Sequence, residues 1–323
     1  MIMENIQDQK ENVSSNVSEQ KASFISPTQT MESNIHVDDN VRNKIMEMSR
    51  IDPNLVKRNE YKGQQVTLPS KGLVYPPDHP LRKSNGIILL RQMTAADEDI
   101  LYDRQLLKKD MVFNTLITRC IVQPAGIDGS DLVLGDQNTV LVALRIGGLG
   151  ADYNVELTCD ECENKFHEQY MLNGIVLKIV NEFEDGTKVA TETKNGTFLI
   201  TLPDCNEQCE IRLLSVREEA EITQAVEKAK KGGISLSQTV NRLMKIIVSI
   251  GGNSDKAHIR EMVEKVLSLK DSKYIREMYN DIQPDIIMKK SYECPQCYTE
   301  KEFDIPIDAG FFWPELTRKR GIR

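Results

Sequence analysis

Two Cys-x-x-Cys pairs, Cys159–Cys162 and Cys294–Cys297, stand apart in a chain of 323 residues that has seven cysteines. A zinc ion takes four soft ligands at the corners of a tetrahedron, and a C-x-x-C turn supplies two of them from one knuckle. The spacing therefore predicts one structural Zn²⁺ site with Cys159, Cys162, Cys294 and Cys297 as its ligands. Residues 163–293 must leave and return between the knuckles, so the site would tie the middle of the chain to its end. His167 is an alternative ligand by type, but it falls inside a strand pattern. Two other readings compete, a pair of separate redox dithiols and unligated core cysteines. A redox pair of the thioredoxin type sits at the N-terminus of a helix that follows a strand, and neither pair has that setting. Cys205 and Cys209 form a looser C-x3-C pair and Cys120 lies on an apolar helical face, so these three read as core or loop cysteines.

The elements needed to aim four sulfurs are also visible. Residues 153–158 precede the first knuckle and 286–293 the second, and alternating runs follow at 165–171 and 301–307. Strand, knuckle, strand, twice over, is the plan of a zinc ribbon. Between the halves, residues 175–214 alternate in short runs separated by Asp185-Gly186 and Asn195-Gly196, both hairpin dipeptides, which predicts a meander of antiparallel strands. Helical spacing then marks 216–231, 235–250, 255–267 and 272–281. Upstream, 66–77 carries three prolines and a glycine and should run extended, turning at Ser70-Lys71-Gly72. A strand is expected at 87–90, two helices over 97–122, and a helix capped by Asp136 that Gly147-Gly148 and Gly150 end. Arg145 is the charged residue in that apolar helix; it reads either as a partner for Asp97 or Asp99 or as a snorkelling surface arginine.

The expected fold is α+β. A polar tail (1–60), disordered apart from one short helix at 37–48, precedes an extended segment with helices (61–150). The first knuckle and meander (151–214) follow, then a helical insertion (215–283), and the second knuckle with an aromatic and basic end (284–323). The tail is rich in Gln, Asn, Ser, Glu and Lys and buries too little apolar surface to offset its ordering entropy.

Composition narrows the function classes. A net charge of −8 and a pI near 5.3 argue against a general nucleic-acid surface. The one basic cluster is the end, Arg318, Lys319, Arg320 and Arg323. No apolar run approaches the roughly 18 residues that span a bilayer, and no secretory h-region opens the chain, so a soluble protein of a reducing compartment is expected. The four histidines lie in no catalytic motif, and no G-x-S-x-G, H-E-x-x-H or G-x-G-x-x-G occurs. The Ser70-Lys71-Gly72 stretch lacks the full phosphate-loop spacing. A four-thiolate zinc leaves no open position for substrate or activated water, so the site points to structure and away from catalysis.

Five segments occur in order: 68–76 (LPSKGLVYP), 97–101 (DEDIL) with 106–109 (LLKK), 134–136 (LGD) with 141–146 (LVALRI), the paired knuckles, and 310–314 (GFFWP). Together they resemble the baseplate hub subunits and hub assembly proteins of T-even-like contractile-tailed phages, over residues 61–314. The resemblance implies a non-enzymatic structural or chaperone-like component of the central hub. Such a protein is made in the host cytoplasm and contacts other tail proteins; no small-molecule substrate or membrane partner is expected, and the acidic balance argues against nucleic acid. Phe311, Phe312 and Trp313 admit two roles, a plug in the ribbon's own core or an aromatic anchor for a hub partner. The competing function is a zinc-ribbon nucleic-acid-binding regulator that uses the basic end, and an oxidoreductase using the dithiols comes third.

Overall fold

The computed structural model describes residues 63–108, 111–183, 185–232, 237–305, 307 and 311–312. All belong to one unit, Pro53–Arg323. The tail, its helix expected at 37–48, Trp313 and the basic end 318–323 lie outside the described residues. Helices and antiparallel strands alternate through this unit, as expected of an α+β chain.

The first core begins with strand β1 (Gln64–Thr67), which pairs antiparallel with β2 (Ile87–Leu90); β3 (Ile121–Gln123) lies on the other side of β2. The proline-rich segment joining β1 and β2 buries Leu68 and Tyr75 and turns at Gly72, whose φ is 73°. A Cβ there would sit 2.3 Å from the carbonyl oxygen of Leu81, so only glycine fits the approach. Helix α1 (Pro80–Lys83) follows, with Nδ1 of His79 accepting from the Leu81 N–H.

Three helical pieces, rather than two, occupy the next stretch: α2 (Ala95–Tyr102), α3 (Arg104–Lys108) and α4 (Val112–Cys120). The first break comes at Asp103, which is extended and whose carboxylate accepts from the Gln105 N–H at 2.7 Å. A short acidic side chain here competes with the helix for its own backbone. Asp97 closes a capping box with Thr94 and takes two hydrogen bonds from Arg91, at 2.6 and 2.8 Å.

Helix α5 (Leu134–Leu149) is buried on almost every side between residues 135 and 145. Val133 is its N-cap; Asp136 lies inside the first turn, correcting the expectation that it caps. The Asp136 carboxylate accepts from the Ser70 N–H at 3.0 Å and from the Tyr75 hydroxyl at 2.7 Å, pinning the proline-rich segment to α5. Of the three glycines expected to end the helix, Gly147 and Gly148 remain inside it and Gly150 closes it at φ 90°.

The second core is a four-stranded sheet in the order β10-β9-β8-β7, faced by helices. Its strands are β7 (Thr191–Glu192), β8 (Phe198–Thr201), β9 (Gln208–Ile211) and β10 (Ile247–Ile250), and Asn195-Gly196 lies between β7 and β8 as its dipeptide predicts. Its helices are α6 (Val216–Lys231), α7 (Gln238–Ile246), α8 (Lys256–Glu261), which continues as a π turn over Met262–Val266, and α9 (Leu269–Ile282). The helix expected over 235–250 is thus cut at Ile246. Its last residues, Ile247-Val248-Ser249-Ile250, three of them β-branched, pair with β9 instead.

One strand leaves the expected meander. β6 (Val176–Lys178) pairs with β11 (Asp285–Ile287), the stretch that leads to the second knuckle. The chain entering the second core and the chain leaving it are therefore hydrogen-bonded side by side.

Candidate metal centre

Each Cys-x-x-Cys sits at the tip of its own hairpin. β4 (Asp152–Thr158) and β5 (Lys165–Met171) pair from Asp152↔Met171 to Thr158↔Lys165. β12 (Lys289–Glu293) and β13 (Glu300–Asp304) pair from Lys289↔Asp304 to Glu293↔Glu300. Alternation turns Tyr153, Val155, Leu157, Phe166 and Tyr170 of the first hairpin into the first core, and Tyr292 and Phe303 of the second. The hairpins lock through these rings. Phe166 meets Phe303 edge-on at 5.7 Å, and the Tyr292 hydroxyl donates to the Gln169 carbonyl at 3.2 Å.

The two tips share one backbone design. Glu163 N–H donates to Cys159 O at 2.8 Å and Tyr298 N–H to Cys294 O at 2.9 Å. Cys159 N–H donates to Asn164 O, and Cys294 N–H to Thr299 O, at 2.9 and 3.0 Å. Glu163 and Tyr298 both take a left-handed φ of 57°. Two copies of one turn, facing each other, aim their sulfurs at a common centre.

The Sγ atoms of Cys159, Cys162, Cys294 and Cys297 all lie within 4.8 Å of one another and could hold a metal ion. Cys159 and Cys297 are 3.7 Å apart, Cys162 and Cys294 3.6 Å. A tetrahedron with zinc–sulfur bonds of about 2.3 Å has edges of about 3.8 Å, so these separations suit such an ion and are far too long for disulfides. Cys159 and Cys294 are buried, while Cys162 and Cys297 are half-buried. The Thr299 hydroxyl, 3.4 Å from the sulfur, and the Thr299 N–H pull the Cys297 thiol down to about 6. Backbone N–H groups of Cys297 and Gln296 lower Cys294. The Asn164 N–H acts the same way on Cys162, but burial and the three neighbouring thiols outweigh it and push Cys162 up to about 12. Four sulfurs this close cannot all ionise without a cation among them, and a divalent ion would remove that repulsion.

His167 stands outside the group. It is on the solvent face of β5, with Nε2 3.9 Å from Glu156, which corrects its candidacy as a substitute ligand. Cys120 is buried in the first core, Cys209 buried and Cys205 half-buried in the second. Lys301 reaches across from β13 to Glu161 at 2.9 Å and Asp160 at 3.9 Å, joining the two tips outside the sulfurs.

The foot of the first hairpin is held by Arg145, a role its sequence position did not suggest. Neither Asp97 nor Asp99 pairs with it, nor does it snorkel. It is 2 % exposed and donates to three carbonyls: Nε to Phe311 at 2.8 Å, and the terminal nitrogens to Gly150 at 2.7 Å and Asp152 at 2.9 Å. Phe311 and Phe312 are buried in the first core, at 5.1 Å from Tyr153 and 5.7 Å from Phe113 respectively. Of the two roles open to these phenylalanines, the core plug matches their burial; as anchors they would first have to leave the core. The charge of Arg145 in a largely apolar helix was visible in the sequence; its acceptors, all backbone carbonyls, were not.

A family model described as T4 bacteriophage base plate protein matches residues 66–313. The chain belongs to that family. The matched span takes in both cores and both knuckles of this baseplate protein. Searches of curated proteins and of solved structures gave no match. Among the described residues, no helix is long and apolar enough to cross a membrane.

Proposed function

We propose that this baseplate-family chain is a non-enzymatic structural or assembly protein of the central hub of a contractile tail. In this reading Cys159, Cys162, Cys294 and Cys297 hold one Zn²⁺ that clips its two hairpins together. The observation that carries the clip is the closed set of four sulfurs, two from each hairpin, with edges near those of a zinc tetrahedron. Four protein ligands leave no open coordination position, so the ion would supply stability and no Lewis-acid chemistry. Structural zinc contributes on the order of 10 kcal/mol or more to small domains, comparable to the whole stability of a typical fold. The clip would hold the chain entering and leaving the second core at a fixed geometry, and the outer surfaces would meet other tail proteins in the host cytoplasm and in the baseplate.

Two measurements test this. Metal analysis of protein made in zinc-supplied cells should give one zinc per chain, and Cys159→Ser should remove it. Affinity purification from infected cells should recover hub proteins; recovery of wedge proteins alone would move the chain out of the hub, and recovery of nucleic acid with a steep salt dependence would favour the regulator reading.

A further inference from the structure

Among four mutually close sulfurs, two short contacts cross between the hairpins. Cys159 meets Cys297 and Cys162 meets Cys294, at 3.7 and 3.6 Å. Each contact joins one buried sulfur, Cys159 or Cys294, to one half-buried sulfur, Cys297 or Cys162. An oxidant from solvent therefore reaches one member of each pair first, and the sheltered member is already at its side. The hairpins are held face to face by Phe166 against Phe303 and by Tyr292 on Gln169, contacts that do not involve the sulfurs. Loss of an ion leaves the pairs juxtaposed.

From this arrangement we propose that the clip has a second, covalent form: oxidation by a peroxide replaces the metal with two disulfides, Cys159–Cys297 and Cys162–Cys294, that cross between the hairpins. This rests on the metal reading of the same site. In the chemistry, the half-buried sulfur gives two electrons to the O–O bond, which breaks; a sulfenic acid forms and hydroxide leaves. The buried sulfur across the gap then attacks the sulfenic sulfur, the S–S bond forms, the S–O bond breaks and a second hydroxide leaves. Two peroxides thus convert four metal-bound thiolates into two disulfides, a free divalent ion and four hydroxides. Pairing across the hairpins keeps the tip hydrogen bonds from Glu163 to Cys159 and from Tyr298 to Cys294. Pairing within a knuckle would pull its two sulfurs together around that turn and let the hairpins part. The device suits a protein assembled where thiols stay reduced and later exposed where they do not.

The experiment is peptide mapping of the full chain before and after hydrogen peroxide, with metal content measured first. Trypsin places Cys159 and Cys162 in one peptide, 146–165, and Cys294 and Cys297 in another, 291–301. The expected result is loss of both free peptides without reductant, appearance of a single species joining them, fragment ions assigning the two predicted pairs, and recovery of both peptides with dithiothreitol. The oxidised chain should also keep its melting temperature in a strong chelator. Separate looped peptides, or sulfinic acids in place of disulfides, overturn the proposal. Metal present with loops inside each knuckle sinks this inference and spares the clip; a chain that never holds metal sinks the clip and, with it, the exchange of metal for disulfides, whatever pairs its cysteines form.

Discussion

Replacing Arg145 by methionine removes the one group that joins the end of α5, the start of β4 and the carbonyl of Phe311. The three acceptors differ in what they lose. Gly150 and Asp152 are exposed residues, so water can replace the guanidinium there, and each lost bond costs about 0.5–1 kcal/mol. Phe311 is fully buried, so its carbonyl is stranded, at about 1–3 kcal/mol. Methionine fills most of the volume and carries no charge to desolvate, which keeps the cavity term small. The sum is a destabilisation of about 2–5 kcal/mol. Urea unfolding should show it as a lower midpoint at unchanged slope. Hydrogen exchange should show faster opening of the 150–153 amides, with those of β8 and β9 unaffected. Arg145→Lys, which can reach one carbonyl, should recover part of the loss. A change below about 1 kcal/mol in Arg145→Met would refute the reasoning, because it would mean that the Phe311 carbonyl finds water at no cost.

Other perturbations probe other joints. Asp136 is wholly buried, and burial raises its pKa to about 6 against the bonds from Ser70 and Tyr75. The folded state keeps a proton there that the unfolded chain loses near pH 4. Stability from this group is therefore full below about pH 4 and lost as pH rises through about 6, a fall of about 3 kcal/mol. Because Asp97, held down to about 2, works in the opposite sense at lower pH, the readout is the difference between the wild-type chain and Asp136→Asn across pH 4–7.5, which should change by that amount. Gly135→Ala would put a Cβ 2.0 Å from the carbonyl oxygen of Pro284, where α5 passes the chain entering β11. Thermal unfolding should show a loss of about 3 kcal/mol or more, since backbone must move. Cys294→Ser, or a strong chelator on the wild-type chain, should lower the melting temperature and raise exchange first in β4, β5, β12 and β13; an unchanged exchange pattern would argue against a metal clip.

How much of this was legible in the chain depends on how local each signal is. The knuckles were readable because spacing, flanking alternation and residue type all lie within a dozen residues, and the hairpins around them follow from period-two burial. The helices of the second core were readable from their periodicity. The strand Ile247–Ile250 was not, because an apolar β-branched run after a helix continues the helical pattern, and only pairing with β9 makes it a strand. The same holds for β6, which alternates like its meander neighbours and pairs with a segment more than a hundred residues away. Arg145 and Asp136 were misread for a related reason: Arg145 donates to backbone carbonyls, and Asp136 accepts from a backbone N–H and a tyrosine hydroxyl of a remote segment, and such partners leave no mark in the sequence.

Local pattern in the chain was enough for the two Cys-x-x-Cys pairs, their hairpin tips and the membership of a baseplate family, since each rests on residues near one another in the chain or on their order along it. Tertiary structure alone decided that the four sulfurs meet, that they touch in pairs across the hairpins, and that Phe311 and Phe312 fill the protein's own core. Those outcomes depend on loop closure over residues 163–293, on the packing of Phe166 against Phe303, and on a buried arginine that three carbonyls hold in place. Local propensity carries no information about such long-range contacts; they form because only the closed arrangement buries both hairpin faces and satisfies the polar groups between them.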